Sequence, residues 1–236
     1  IAFSTLAAII FFIRRPFGFN LLRRNFVQVV FLGVLLGSHF VLFVSAVMDT
    51  TIINATVLVN TTPVWSLLVS VFLLGLKPAR LAVLGLLVSF LGVTIIACAE
   101  VSSPTFGLNL KGDLEALFAA ITEAFYLNYG RDIRRRVPIL SLMLFIYMLS
   151  ALTILAAGAT MRSTPILAAG GLEGVLILMG LGILPTALAH TLYFSSLSSL
   201  KPFETATLAL LEPIAATLLG VFIFAEIPHL LFVLGA

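Results

Sequence analysis

The stretch IINATVLVNTTPVWSLLVSVFLLGLK, Ile52–Lys77, decides the fold. It stays apolar over the roughly 20 residues that a helix needs to cross a hydrocarbon core about 30 Å thick. It also recurs. Shifted so that Leu58 falls on Leu208, it aligns without a gap on PFETATLALLEPIAATLLGVFIFAEI, Pro202–Ile227. Pro63 then meets Pro213, Leu68 meets Leu218, Val71 meets Val221 and Phe72 meets Phe222. Beyond it Pro78 meets Pro228, Leu81 meets Leu231, and Val83-Leu84-Gly85 meets Val233-Leu234-Gly235. Apolar composition alone produces Leu and Val matches, but it does not bring two prolines and a glycine into register. The chain is therefore internally duplicated.

Working outward, six further stretches reach spanning length: Asn25–Met48, Ala79–Cys98, Gly112–Gly130, Ile139–Thr160, Gly174–Leu197 and Phe203–Ala225. Ile1–Ile13 and Pro228–Ala236 are partial. The runs are continuous rather than alternating over about ten residues, which excludes barrel strands. Composition agrees. Of 236 residues, 61% are hydrophobic and 10% charged, with a mean hydropathy of +1.21. A soluble domain carries about 25% charge, so this chain lacks the polar surface to coat one. Disorder and a disulfide scaffold are excluded too, the latter by a single cysteine, Cys98.

The loops set the orientation. Arg14, Arg15, Arg23, Arg24, Lys77, Arg80, Arg131, Arg134, Arg135, Arg136 and Lys201 fall on one side of the membrane; Lys111 and Arg162 fall on the other. The positive-inside rule makes the first side cytoplasmic. The high pI of about 9.4 is then a topology signal. No basic cluster is interleaved with aromatics as a nucleic-acid groove would be, and no nucleic-acid partner is expected. The repeat Ile52–Gly75 ends at cytoplasmic Lys77, whereas its copy Phe203–Ala225 begins at cytoplasmic Lys201. The copies are inverted, a common build of secondary transporters. The expectation is an all-α membrane protein with a ten-helix, five-plus-five inverted-repeat transporter fold. Residues 1–99 form the first repeat (helices 2–5) and 110–236 the second (helices 6–10). The first helix and most of the last are expected outside this chain.

The segments Asn54-Ala-Thr-Val-Leu-Val-Asn-Thr-Thr-Pro-Val-Trp, Thr186-Ala-Leu-Ala-His-Thr-Leu-Tyr and Thr205-Ala-Thr-Leu-Ala-Leu-Leu-Glu-Pro resemble EamA-type carriers of the drug/metabolite transporter superfamily. Gly85 and Gly92, and Gly220 followed by Ala225-Glu226, extend the likeness over nearly the whole chain. One position departs from it: where the family often has Gly-Glu, the first copy has Gly75-Leu76. The resemblance implies export or exchange of small metabolites through a central cavity between the repeats.

An ionisable group inside a span costs at least about 2.5–3.5 kcal/mol on insertion scales, so each asks for a reason. Glu212 precedes Pro213, whose missing N–H frees a carbonyl one turn earlier, near Ala209. Glu123 shares a helix side with Gly112, Ala116, Ala119 and Ala120. Both carboxylates are candidates for proton or cation coupling; both also suit a structural role against a neighbouring helix. His39 and His190 nearly match under the repeat, and a neutral imidazole can relay protons near pH 7 or tie two helices together. Asn54, Thr61 and Trp65 fall on one helical face and Asn60 on another. With Tyr126, Tyr193, His39 and His190 they are the candidate substrate-binding residues; packing is the competing reading of each.

No Lys or Arg lies near a span centre, which speaks against nucleotide-sugar or phosphometabolite antiport, since phosphate needs such cations. An acidic cavity suits neutral, zwitterionic or cationic solutes, amino-acid-like ones first. The competing classes are an intramembrane enzyme acting on lipid and a membrane scaffold or receptor. Ser38 and His39 are adjacent, but neighbours on a helix point about 100° apart and make a poor nucleophile–base pair. With no HExxH and no GxxxxGK[ST], no metal, cofactor or direct use of ATP is expected. The expected partners are the solute, protons and the lipid bilayer of a plasma or inner cell membrane; the sequence also allows a homodimer.

Overall fold

The computed structural model describes residues 1–13, 18–99, 110–160, 171–212, 214–215, 218, 221–222 and 230–235. Every regular element among them is helical. In chain order these are α1 (Ala2–Ile13), α2 (Phe19–Arg24), α3 (Phe26–Asp49), α4 (Ile52–Val59), α5 (Thr62–Phe72), α6 (Arg80–Ala99), α7 (Leu110–Arg136), α8 (Ile139–Thr160) and α9 (Gly171–Leu181). A π-helical segment, Gly182–His190, follows, then α10 (Thr191–Ser196), α11 (Pro202–Leu208), a 3-10 turn (Ala209–Leu211) and α12 (Leu230–Gly235).

Among the described residues, four stretches are long and apolar enough to cross a membrane: Phe26–Asp49, Asn54–Phe72, Ile139–Ala159 and Gly171–Ser196. Ala2–Phe12 is a shorter apolar helix, and α6 covers the span expected at Ala79–Cys98 with 20 helical residues. The span expected over Gly112–Gly130 lies within the 27-residue α7, whose ends are charged: Lys111, Asp113 and Glu115 at one, Arg131 to Arg136 at the other. Part of the span expected at Phe203–Ala225 lies outside the described residues. Large apolar side chains stay uncovered along the helices, among them Met48, Leu81, Leu172 and Phe222. Lipid, not protein, is the solvent for such surface, because a helix already satisfies its own backbone.

Helical breaks occur where the sequence removes donors. The span beginning at Ile52 divides at Asn60-Thr61, and Pro63 opens α5. Under the repeat those two residues map onto Leu210 and Leu211, inside the 3-10 turn that precedes Pro213. Both copies are therefore irregular at the same place. In the π segment, Pro185 has no N–H for the Leu181 carbonyl, and Thr186 Oγ1 donates to that oxygen instead at 3.0 Å. The Tyr147 hydroxyl donates to the Thr186 carbonyl at 2.6 Å.

The fold divides into two compact units, each taking segments from both sequence halves. One comprises Ile1–Val41 and Tyr129–Leu200; the other comprises Leu42–Asn128 and Lys201–Ala236. In the first, α1 packs on α8 and on the π segment, and the core includes Leu32, Leu36, Leu142, Met143, Ile146, Phe194 and Leu197. In the second, α11 packs on α5 and α12 on α6, while Ala46, Ala55 and Ala116 form a small-residue core flanked by Leu58 and Val59. Small residues let helices approach where no hydrophobic force drives them together.

Gly37 shows how close that approach is. A Cβ there would lie 2.6 Å from Thr153 Cβ and 2.9 Å from the Ser150 carbonyl oxygen, whereas one at Gly85 meets nothing within 4 Å. Gly37→Leu is expected to cost about 1–3 kcal/mol by overpacking, read as a lower thermal-unfolding midpoint in detergent, and Gly85→Leu to leave that midpoint unchanged. Equal midpoints for the two variants would contradict this account of the α3–α8 packing.

Candidate functional site

Four residues apart on α5, Thr62, Ser66 and Ser70 line one helical face, and all three are buried. Opposite them stand Glu123 and Asn128 of α7, which are 8% and 2% exposed. The hydroxyl proton of Thr62 is shared between the Val59 carbonyl at 2.8 Å and Glu123 Oε2 at 3.1 Å. Asn128 Nδ2 donates to Ser66 Oγ at 2.9 Å, to the Ser66 carbonyl at 3.2 Å and to the Ala124 carbonyl at 2.8 Å. Its Oδ1 accepts from Ser70 Oγ at 2.6 Å. The seam is a hydrogen-bonded polar ladder inside an apolar chain, with a carboxyl group at one end.

Glu212, the second carboxyl, is exposed and within electrostatic reach of Glu123. Thr62, its counterpart under the repeat, donates a hydrogen bond to Glu123. The duplicated position thus lies near Glu123 in both copies, as a hydroxyl donor in the first and as a second carboxyl group in the other.

Thr61 and Trp65 come together as their shared face implies: Trp65 Nε1 donates to Thr61 Oγ1 at 3.1 Å, and Thr61 Oγ1 donates to the Leu58 carbonyl at 2.6 Å. Asn60 caps the end of α4. Asn54 turns elsewhere. Its Nδ2 donates to Asp113 Oδ1 at 3.3 Å, an oxygen that also accepts from Thr50 Oγ1 at 2.7 Å. Nearby the Lys111 ammonium donates to Asp49 Oδ2 at 2.6 Å, and that carboxylate raises the Lys111 pKa above its ordinary value. Tyr126 is completely enclosed.

The other unit brings the two histidines together. The ring centroids of His39 and His190 lie 6.5 Å apart, with Phe40 5.3 Å and Tyr193 6.1 Å from His190, all edge-on. His39 is buried. His190 closes the π segment, and widened turns of this kind recur at functional sites. Beside it the Tyr147 hydroxyl lies 3.1 Å from Thr191 Oγ1.

Sequence reasoning missed Ser66, Ser70 and Asn128 as a group. The signal was the four-residue spacing from Thr62 through Ser66 to Ser70, with a matching polar residue on α7. Among the described residues no group of three or more His, Cys, Asp or Glu is arranged to hold a metal ion.

Comparisons with known proteins place this architecture. The model of the EamA-like transporter family matches residues 1–98 and 110–236. A solved crystal structure, titled only as that of a protein, superposes with a TM-score of 0.78 at 23% identity, covering 99% of this chain and 79% of that one. That likeness speaks to the fold alone. No curated protein matches the chain. With both repeats matched by the family model, this membrane protein belongs to the EamA-like transporter family of the drug/metabolite transporter superfamily.

Proposed function

We propose that the protein is a secondary transporter that exports or exchanges a small neutral, zwitterionic or cationic solute, amino-acid-like before others, by alternating access across a plasma or inner cell membrane. Residues 1–99 and 110–236 are the two repeats from which the carrier is built. Glu123 and Glu212 couple solute movement to protons, and Asn54, Asn60, Thr61, Trp65, His39, Tyr126, His190 and Tyr193 supply candidate solute contacts. One observation carries the reading: Glu123 is buried in a helix of membrane-spanning length, bonded by Thr62 and within reach of a second carboxyl. A lone structural carboxyl gains nothing from a like charge beside it, whereas a proton or cation site does. The paired irregularities at Asn60-Thr61 and Ala209–Leu211 also support it, since discontinuous helices surround the midplane sites of secondary transporters.

The test is uptake into proteoliposomes made with the full-length protein and a panel of radiolabelled amino acids and amines. Saturable uptake of at least one solute, with loss of its pH dependence in Glu212→Gln, is expected. Turnover of membrane lipid with no solute flux would overturn the transporter reading. Flux with unchanged pH dependence in Glu212→Gln would overturn the role given to that carboxylate.

A further inference from the structure

The α2–α3 corner holds a groove of about 470 Å³ lined by Arg23, Arg24, Asn25, Phe26, Val27, Gln28, Phe31 and Tyr129. The sequence accounts for its shape. Asn25 ends α2: its Nδ2 donates to the Leu21 carbonyl at 2.7 Å, and its backbone N–H reaches Leu21 and Leu22. The turn leaves two arginines at the end of α2 and begins α3 with two exposed apolar side chains, Phe26 and Val27, 63% and 81% uncovered. Gln28 Nε2 fastens the far wall by donating to the Tyr129 carbonyl at 2.7 Å, and the Phe31 and Tyr129 rings meet edge-on at 5.4 Å. In α2 itself Leu22 is buried while Phe19 and Leu21 stay uncovered, as in a short helix lying at a membrane surface.

Arg23 and Arg24 are exposed, and neither has an ion-pair or hydrogen-bond partner among the described residues. Two uncompensated guanidinium groups over an apolar floor match one molecule that the membrane supplies in quantity, an anionic phospholipid. The phosphate meets guanidinium in bidentate fashion, and the first methylenes of the tails lie on Phe26, Val27 and Phe31. Basic sites between helices on the cytoplasmic side suit anionic headgroups, and the charge bias of the loops assigns Arg23 and Arg24 to that side. We infer that the groove formed by Arg23, Arg24, Phe26, Val27, Phe31 and Tyr129 is a seat for an anionic glycerophospholipid of the inner leaflet. The inference stands apart from the transport reading and does not depend on which solute is carried.

Native mass spectrometry of the full-length protein with equimolar phosphatidylglycerol and phosphatidylcholine tests it. Each basic residue near an anionic membrane surface strengthens attachment about fivefold, so Arg23→Gln/Arg24→Gln is expected to lower phosphatidylglycerol retention about twenty-five-fold. Lys77→Gln/Arg80→Gln, at other basic positions, is expected to leave it unchanged. Should the double variant fail to elute as a monodisperse species, Arg23→Gln alone is expected to lose about fivefold, and Arg23→Lys, which keeps the charge but not the bidentate fork, to lose less than that. Equal retention by wild type and the arginine variants, or equal loss on removing Lys77 and Arg80, would overturn the site. Displacement of the lipid by glycerol phosphate at comparable concentration would overturn the lipid as its occupant.

Discussion

Asn128→Asp is expected to be the most damaging single substitution in the polar ladder. Asn128 is 2% exposed, and its amide nitrogen faces three acceptors: the carbonyls of Ser66 and Ala124 and the Ser66 hydroxyl. Aspartate keeps the shape but replaces the donating nitrogen with an oxygen, which then points at two carbonyl oxygens. A buried charge without compensation costs about 3–5 kcal/mol. The expected result is a large drop in the thermal-unfolding midpoint in detergent, or failure to accumulate folded protein. Asn128→Leu is the control. It removes the hydrogen bonds without adding charge, and Ser66 and Ser70 can turn to carbonyls of their own helix. Its cost should be about 1–2 kcal/mol, in the range of interhelical bonds in membranes. An Asp variant as stable as the Leu variant would mean that the ladder does not hold Asn128 as described.

The second large effect is functional. Glu123→Gln preserves the shape of the side chain, and its amide oxygen still accepts the Thr62 proton, so the fold is expected to persist with the wild-type unfolding midpoint. The titratable group is gone. Uptake driven by a pH gradient is expected to fall to the level of protein-free liposomes, while exchange of labelled for unlabelled solute without a gradient continues. Glu123→Leu separates the two roles, because it also strips Thr62 of a partner and should lower stability. Loss of folding in the Gln variant would mark Glu123 as structural; full gradient-driven uptake in a folded Gln variant would remove it from coupling.

Much of this architecture was legible in residues that act locally. Pro63 and Pro213 mark the helical breaks because a missing N–H leaves a carbonyl unpaired wherever it occurs, and the structure puts irregular backbone one turn before each. His39 and His190 nearly match under the repeat, but their meeting within one unit is a tertiary contact that the repeat alone does not give. Thr61 and Trp65 met because one helical turn separates them. What was illegible depends on partners distant in sequence. Asn54 looks like a neighbour of Thr61 and Trp65 on a helical wheel, but the break at Asn60 and the Asp113 carboxylate nearby give it other company. Tyr126 could line a cavity by its position on α7, yet helix packing encloses it completely. Ser66 and Ser70 are ordinary in an apolar helix, since a serine can bond its own backbone; only the placement of Asn128 opposite makes a ladder of them. The compact units likewise exchange segments between the sequence halves, which no local pattern reveals.

The central claim, that intramembrane carboxyl groups couple solute to proton movement, is tested most directly by recording internal pH in proteoliposomes loaded with a dye while a transported solute is added outside. The account predicts a solute-dependent pH change with the wild-type protein and none with Glu123→Gln/Glu212→Gln, although that variant still exchanges solute. Solute entry with no pH change in the wild type, or the same pH change in the double variant, would contradict it.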